Sequence, residues 1–186
     1  MARKDFGAPM TAKELDYIET PRLILRPHSL SDFEDCAAMW ADPSIVRHIA
    51  GKPSTREESW SRLARYAGHW QLMGFGYWTV RDKRSGRFIG DVGFSEFRRD
   101  ITPRFEGTPE GGWVLAGWAH GQGFATEAMI AALDSLERLF PVPRTVCMIA
   151  PENSASLRVA DKLGYREFAH TLYKDEAVIL FERMRL

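Results

Sequence analysis

A pair of glycines just before a predicted helix is the feature of this sequence best suited to bind a ligand. The segment reads His120-Gly121-Gln122-Gly123-Phe124-Ala125. A glycine-rich turn that enters a helix leaves backbone N–H groups pointing outward, and their partial positive charge adds to that of the helix N-terminus. Side chains at the two glycines would block the close approach of an anion. The segment therefore predicts a site for a phosphorylated ligand, although a plain tight turn would give the same pattern.

Two other phosphate-binding motifs do not fit the sequence. The dinucleotide fingerprint GxGxxG/A requires Gly or Ala where this chain has Thr126, and it normally lies in the first βαβ unit. The phosphate loop of nucleoside triphosphatases requires a glycine followed by Lys and then Ser or Thr, and the sequence lacks such a triplet. A nicotinamide-dependent enzyme and an ATP or GTP hydrolase are therefore disfavoured.

Amino-acid composition also limits the class of protein and its partners. The chain has 186 residues, of which 45% are hydrophobic and 27% charged, as in an ordinary globular domain. Its 25 basic residues equal its 25 acidic ones, so no net field draws it to nucleic acid or to an anionic membrane. Cys36 and Cys147 lack metal-ligand or disulfide spacing, and we expect buried thiols and no metal. Without a membrane-length apolar run or a signal peptide, we expect a soluble cytoplasmic protein with no nucleic-acid or membrane partner.

The elements that must position the glycine turn alternate between strands and helices. Aromatic and β-branched runs predict seven strands, at residues 21–27, 75–80, 88–94, 112–116, 144–149, 165–172 and 177–184. Apolar residues at helical spacing predict helices over about 31–41, 54–74, 125–140 and 157–163. The first two helices begin at apparent capping boxes, Ser31-Asp32-Phe33-Glu34 and Ser54-Thr55-Arg56-Glu57. This order predicts one mixed α/β domain over 21–186 after an N-terminal arm at 1–20.

The glycine turn also resembles the acetyl-CoA motif of the GNAT superfamily of N-acetyltransferases, R/Q-x-x-G-x-G/A, from which only His120 departs. Further segments resemble the ribosomal-protein N-terminal (RimJ/RimL-like) branch of that superfamily. They are Glu19-Thr20-Pro21-Arg22-Leu23-Ile24-Leu25-Arg26, Glu110-Gly111-Gly112-Trp113, Thr126-Glu127-Ala128, Asn153-Ser154-Ala155-Ser156 and Asp161-Lys162-Leu163-Gly164-Tyr165. The resemblance spans residues 19 to about 185.

The resemblance implies a fold and a cofactor. The fold is a central, mostly antiparallel mixed sheet of about six to seven strands, flanked by helices and splayed between the strands at 112–116 and 144–149. Acetyl-CoA is the implied co-substrate, with its pantetheine arm in that splay. Asn153 would hydrogen-bond a pantetheine amide. The other implied cofactor-binding residues are Leu115, Gln122, Gly123, Phe124, Ala125 and Thr126.

The resemblance also suggests catalytic residues. Glu110 matches a position where the related branch often has glutamate, and its carboxylate could accept the proton of the attacking amine. His28 and His120 are rival bases, each with a structural alternative. Many members place a tyrosine acid where this chain has Ala160, and Ser156 is the best replacement. Four aromatic residues could line an acceptor pocket but are interpreted as core residues. They are Tyr77, Trp78, Trp113 and Trp118.

Two functions from different classes follow. The first is an acetyl-CoA-dependent N-acetyltransferase that acts on a primary amine of a protein N-terminus or of a small molecule. The branch resemblance favours a peptide amine by analogy. The second is a module that binds CoA or acetyl-CoA without turnover, suggested by the missing tyrosine acid and the uncertain base. The expected partner is a small-molecule or peptide amine, and the chain is expected to be a monomer or a homodimer.

Overall fold

The predicted strands form one twisted sheet in a computed structural model, which describes residues 17–49 and 51–185. The strands of the described chain are β1 Ile18–Glu19, β2 Leu23–Pro27, β3 Tyr77–Asp82, β4 Phe88–Ser95, β5 Glu110–Leu115, β6 Arg144–Ile149, β7 Arg166–Tyr173 and β8 Glu176–Met184. Their order in the sheet is β1-β2-β3-β4-β5-β6-β8-β7. Each neighbouring pair is antiparallel except β5 and β6, which are parallel. The predicted mixed α/β fold is confirmed.

Five α-helices accompany the sheet in the described part of the chain. They are α1 Phe33–Trp40, α2 Pro43–Val46, α3 Arg56–Met73, α4 Phe124–Leu139 and α5 Ser154–Lys162. None of these helices is long and apolar enough to cross a membrane.

The sheet has eight strands in the described residues, against six to seven predicted. The extra strand is β1, which pairs Ile18 with Leu25 of β2 and lies inside the predicted arm at 1–20. A segment of two residues is too short to show strand periodicity, so the pattern missed it. Residues 1–16 of the predicted arm lie outside the described residues, and the domain limits stay a prediction.

The first capping box is wrong by two residues. The structure places it at Ser29 and Asp32, where the backbone N–H of Ser29 donates to the Asp32 carboxylate at 2.9 Å. A 3-10 turn over Leu30–Asp32 then leads into α1. Asp32 is fully buried and pairs with Arg26 of β2 at 2.7 Å and Arg81 of β3 at 2.8 Å. Those strand arginines select Asp32, and the local sequence pattern does not contain them.

The second capping box is wrong by one residue. Thr55 caps α3, and its backbone N–H donates to Glu58 at 2.7 Å. Ser54-Glu57 and Thr55-Glu58 have the same spacing, so the pattern alone does not separate them. The N–H of Ser54 donates to the carbonyl of Trp40 at 2.9 Å, which leaves Thr55 to begin the helix.

Apolar side chains pack on both faces of the sheet. On one face α4 buries Met129, Ala132 and Leu136, each at most 1% exposed, against a cluster that includes Trp78 and Val92. On the other face α1, α2 and α3 pack a second cluster against β4 and β5. Both faces are therefore covered near the middle of the sheet, and strands β4 and β5 are held between two helical layers.

The strands β5 and β6 separate after a single paired position. β4 and β5 pair over six residues, from Ser95 with Glu110 to Gly90 with Leu115. By contrast, β5 pairs with β6 only at Glu110 and Val146, where the Val146 N–H also donates to the Pro109 carbonyl at 3.0 Å. Beyond this point a gap opens between β5 and β6. The predicted splay is thereby confirmed.

A tyrosine lies across two glycines beside this gap. Tyr77 of β3 pairs with Gly93 of β4, which in turn pairs with Gly112 of β5. A Cβ atom built at Gly112 would lie 2.0 Å from the Tyr77 hydroxyl oxygen and 3.1 Å from its ring Cζ. Gly112 therefore makes room for the Tyr77 ring on the face covered by α3.

Replacing Gly112 by Ala should lower the free energy of unfolding by about 1–3 kcal/mol, because the new methyl group overlaps the Tyr77 hydroxyl. The double variant Gly112→Ala with Tyr77→Phe should recover much of the loss, since the nearest ring atom then lies at 3.1 Å. Gly117→Ala is the control, because nothing lies within 4 Å of a Cβ there. Urea unfolding measures all three, and a Gly112→Ala protein as stable as the control would contradict the close contact.

Candidate functional site

The glycine turn has the backbone geometry of an anion site. Gly121 and Gly123 have φ angles of +73° and +79°, which favour glycine. Gly123 is the N-cap of α4, and the first helical bond runs from the Glu127 N–H to the Gly123 carbonyl at 3.1 Å. The N–H groups of residues 124–126 therefore precede the intrahelical ladder and point out of the helix start. Phe124 buries its ring in the core, so only its backbone is offered to a ligand.

Arg22, which directly precedes β2, holds the glycine turn in place through two hydrogen bonds. The Arg22 guanidinium donates to the Gln122 carbonyl at 2.9 Å and to the Glu127 carboxylate at 2.6 Å. The Thr20 hydroxyl also donates to Glu127, at 2.5 Å. Burial opposes ionisation of Glu127, but these hydrogen bonds outweigh it and hold the pKa of Glu127 below its ordinary value. The Gln122 side chain donates to the Trp118 carbonyl at 2.7 Å, so its backbone N–H is what the turn can present.

His120 ties the turn to the end of β5. Its Nε2 lies 2.8 Å from the Leu115 carbonyl oxygen, to which it donates. His120 thus has a structural partner, as its structural interpretation predicts. On the opposite edge of β5, the Ala116 N–H donates to Ile89 of β4 at 2.8 Å. Because backbone direction alternates along a strand, the backbone groups of Trp113 and Leu115 face the gap.

The start of α5 lies on the side of the gap opposite to β5. Asn153 caps this helix, since its side-chain oxygen accepts from the Ser156 N–H at 3.1 Å. The Trp113 indole N–H donates to the Ser156 hydroxyl at 3.2 Å and so joins β5 to α5. Ala160, the position of the tyrosine acid in related proteins, is fully buried in the core. The structure therefore brings Ser156 to the gap and offers no acid at Ala160.

Glu110 lies at the closed end of the gap and is almost fully buried, at 5% exposure. Both of its carboxylate oxygens accept from Arg99, at 2.6 Å from Nε and 2.7 Å from Nη2. Burial raises the pKa of Glu110 above its ordinary value, and the ion pair with Arg99 offsets part of this rise. Sequence reasoning did not find Arg99, because it lies in a segment that reads only as a polar loop.

Buried groups that sequence reasoning missed flank this carboxylate. Ser95 is paired in register with Glu110 and therefore shares its face of the sheet. The Ser95 hydroxyl is buried without a hydrogen-bond partner among the described residues. Tyr77 stacks on Tyr66 of α3, with ring centroids 4.6 Å apart. Tyr77 and Trp78 are buried core residues, as predicted, and Trp113 and Trp118 are partly buried against the main core cluster.

His28, the other rival base, has a fully buried side chain with a structural partner at each ring nitrogen. Its Nε2 lies 2.9 Å from Asp91 of β4, and its Nδ1 lies 3.2 Å from the Tyr77 carbonyl. The Trp40 indole N–H donates to Asp91 at 3.1 Å, and the Cys36 sulfur lies 3.6 Å from the same carboxylate. These contacts anchor α1 to the sheet and give His28 a structural role.

The site consequently has three parts along one gap. A cluster of outward backbone amides stands at one end, unpaired strand backbone and the α5 cap lie along the middle, and a buried carboxylate closes the other end. This arrangement can hold an extended phosphorylated ligand whose reactive end comes near Glu110.

Comparison with known proteins agrees with this geometry. The sequence model of the acetyltransferase (GNAT) domain family matches residues 22–166 of the chain. The uncharacterized protein YkkB of Bacillus subtilis (strain 168) is 30% identical over 154 residues, which cover 78% of this chain and 81% of YkkB.

Two solved structures extend the comparison. A Bordetella pertussis protein assigned to the GnaT-family acetyltransferases has a TM-score of 0.80 and 34% identity, covering 90% of this chain and 99% of its own. RimL, a ribosomal L7/L12 alpha-N-protein acetyltransferase solved in complex with coenzyme A, has a TM-score of 0.73, covering 91% and 98%. At 14% identity the RimL likeness shows the fold alone. From the matched domain and the Bordetella relative, we conclude that the chain belongs to the GNAT acetyltransferase family.

Proposed function

We propose that this acetyltransferase uses acetyl-CoA to acetylate a primary amine, on a protein N-terminus or on a small molecule, by direct attack in a ternary complex. The observation that carries the proposal is the gap between β5 and β6, which has the glycine turn at one end and Glu110 at the other. Such a gap presents one ligand to both groups at once.

The residues present fit acetyl-CoA. Its pyrophosphate would lie against the amides of Gln122, Gly123, Phe124, Ala125 and Thr126, where the helix start favours negative charge. A side chain in the turn would block the approach of the pyrophosphate. Gly121 has none, and the space that a Cβ would occupy there is open.

The pantetheine arm would lie along the gap. The backbone groups of Trp113 and the N–H of Leu115 can bond its amides from one side, whereas the Leu115 carbonyl already accepts from His120. The side-chain amide nitrogen of Asn153 can donate from the other side. When bound, acetyl-CoA supplies the acetyl group as a thioester. The proposed role of Ser156, whose hydroxyl accepts from the Trp113 indole, is to donate a hydrogen bond to the departing thiolate.

The acceptor amine attacks only when it is unprotonated. An α-amino group has a pKa of about 8, so part of it is already neutral near pH 7. The remaining requirement is a group that takes the proton released on attack, and Glu110 is the carboxylate at the closed end of the gap. The proposed role of Glu110 is to accept that proton directly or through one water molecule.

The nature of the acceptor is proposed from resemblance. RimL, which shares the fold, acts on the N-terminus of a ribosomal protein. The sequence segments shared with that branch support a peptide amine for this chain as well, by analogy. A small-molecule amine and a monomer or homodimer state are compatible with the same site.

A second candidate function is a module that binds CoA without turnover. Two observations favour it: Ala160 replaces the tyrosine acid, and Glu110 is already paired with Arg99. The two functions differ in one measurable respect, because only the enzyme releases thiol in response to an acceptor.

Purified protein should release free thiol from acetyl-CoA when amines or N-terminal peptides are added, and little without them. The panel should include small amines and peptides of matched length, each with an acetylated counterpart that cannot react. Tight CoA binding without release for any acceptor would support the binding module. No thermal stabilisation by CoA or acetyl-CoA would contradict both functions.

Gly121→Ala should weaken CoA binding at least about tenfold, because it places a methyl group on the anion-facing turn. Gly86→Ala is a matched control. Its φ of +70° resembles the +73° of Gly121, and nothing lies within 4 Å of a Cβ at either position. Both variants should lose a similar 1–2 kcal/mol, by order of magnitude, from the positive φ. Titration calorimetry with CoA distinguishes them, and equal affinities in the two variants would argue against the turn as the pyrophosphate site.

Asn153 can be tested for its two roles separately. Asn153→Ala should cost about 1 kcal/mol of stability through the lost cap, whereas Asn153→Ser keeps a capping oxygen and should cost little. Both should bind CoA roughly 3–10-fold more weakly if the amide nitrogen bonds pantetheine. An Asn153→Ser protein with wild-type CoA affinity would leave Asn153 as a helix cap alone.

Glu110→Gln should slow acceptor-dependent turnover by about 10²–10⁴-fold at neutral pH while CoA still binds, because the amide cannot accept a proton. Circular dichroism and CoA affinity serve as controls for folding. A turnover rate equal to that of the wild type would remove Glu110 from the mechanism.

A further inference from the structure

Arg99 occupies only half of the hydrogen-bond acceptor positions of the Glu110 carboxylate. A carboxylate has about four lone-pair positions on its two oxygens. Arg99 uses one on each oxygen, through Nε to Oε2 at 2.6 Å and Nη2 to Oε1 at 2.7 Å. Each oxygen therefore keeps a further position that can accept a hydrogen bond or a proton.

Arg99 is itself held in place by aromatic rings. Its guanidinium carbon lies 4.5 Å from the ring centre of Phe97 and 4.8 Å from that of Tyr173 on β7. The side chains of Arg99 and Glu110 are only 18% and 7% exposed. This contrasts with the adjacent Arg98, whose side chain is 74% exposed and lies 3.5 Å from Glu106. The two neighbouring arginines therefore have different roles.

We propose that Arg99 is a positioning residue for acetyl transfer, which keeps Glu110 ionised and oriented at the closed end of the gap so that its free lone pairs accept the amine proton. This inference rests on the proposed function and deepens it. Arg99 acts through Glu110 and has no contact of its own with the reacting atoms.

Burial alone would deprive Glu110 of this capacity. A carboxylate taken out of water without a cation tends to bind a proton, and a protonated Glu110 accepts nothing. The titratable groups that interact electrostatically with Glu110 are Arg99 and Glu96 from the loop, Tyr77 from β3 and Cys147 from β6. Of these four, only Arg99 carries positive charge. Without it, burial and Glu96 both raise the pKa of Glu110 further.

Loss of this charge should affect the chemical step more than binding of the acceptor. A protonated Glu110 does not prevent the amine from binding, but it cannot take the proton that the amine releases on attack. The expected consequence is that loss of Arg99's charge lowers kcat more than it raises KM.

Arg99→Gln and Arg99→Lys form a matched test, because both keep a polar chain at this position and only Lys keeps the charge. In Arg99→Gln, the acidic limb of the kcat profile, measured at saturating acceptor so that ionisation of the free amine does not contribute, should move up by at least about one pH unit. A shift of that size corresponds to a loss of about tenfold below the limb. Arg99→Lys should move the limb back toward the wild type, and Arg98→Gln should leave it unchanged.

Two further measurements assign the effect to Glu110. Titration of the Glu110 side-chain carboxyl by ¹³C NMR, in protein without acetyl-CoA, should show a higher midpoint in Arg99→Gln than in wild type or Arg98→Gln. In a Glu110→Gln background, Arg99→Gln should add little further loss of kcat, since the two substitutions remove the same function.

An unchanged NMR midpoint in a folded Arg99→Gln protein would overturn the inference, as would an additive loss in the double variant. The NMR titration needs no turnover, so its outcome is independent of whether the chain acetylates amines. Absence of acceptor-dependent thiol release in the wild type would instead contradict the proposed function.

Discussion

The separation of β5 from β6 is the constraint on which the rest of the site depends. Buried backbone N–H and C=O groups normally pair, and a sheet interior is where they pair most regularly. Here β5 pairs fully with β4 on one edge but meets β6 only at Glu110 and Val146. The groups left over in the gap are suited to a ligand that supplies its own amides. The chain leaves β5 at the open end of the gap and passes through the glycine turn into α4. The outward backbone amides of the turn therefore lie at that open end.

Side-chain contacts keep this gap in shape from three sides. At the open end Arg22 joins the turn to the approach of β2 through Gln122 and Glu127. In the middle, the Trp113 indole reaches Ser156 across the gap. At the closed end Arg99, whose guanidinium lies against the rings of Phe97 and Tyr173, holds the Glu110 carboxylate. The positions of the groups in the site are therefore set by contacts with β2, α5 and β7.

Much of this was accessible from the sequence. Periodicity and the glycine turn predicted the strand and helix order, and short matching segments predicted the family and the splayed sheet. What remained hidden depends on pairs that are distant along the chain. Arg22 and Glu127 are separated by 105 residues, and His28 and Asp91 by 63. No local pattern reports such pairs. The first capping box failed for the same reason, since Asp32 pairs with arginines on two strands.

Binding of CoA in the gap can be tested most directly by mapping backbone amide shifts in ¹⁵N-labelled protein as CoA is added. We expect the largest changes at Gln122–Thr126 and at Trp113 and Leu115, with little change in the hairpin of β7 and β8. Saturable binding whose largest shifts lie away from both the glycine turn and the gap would contradict binding in the gap.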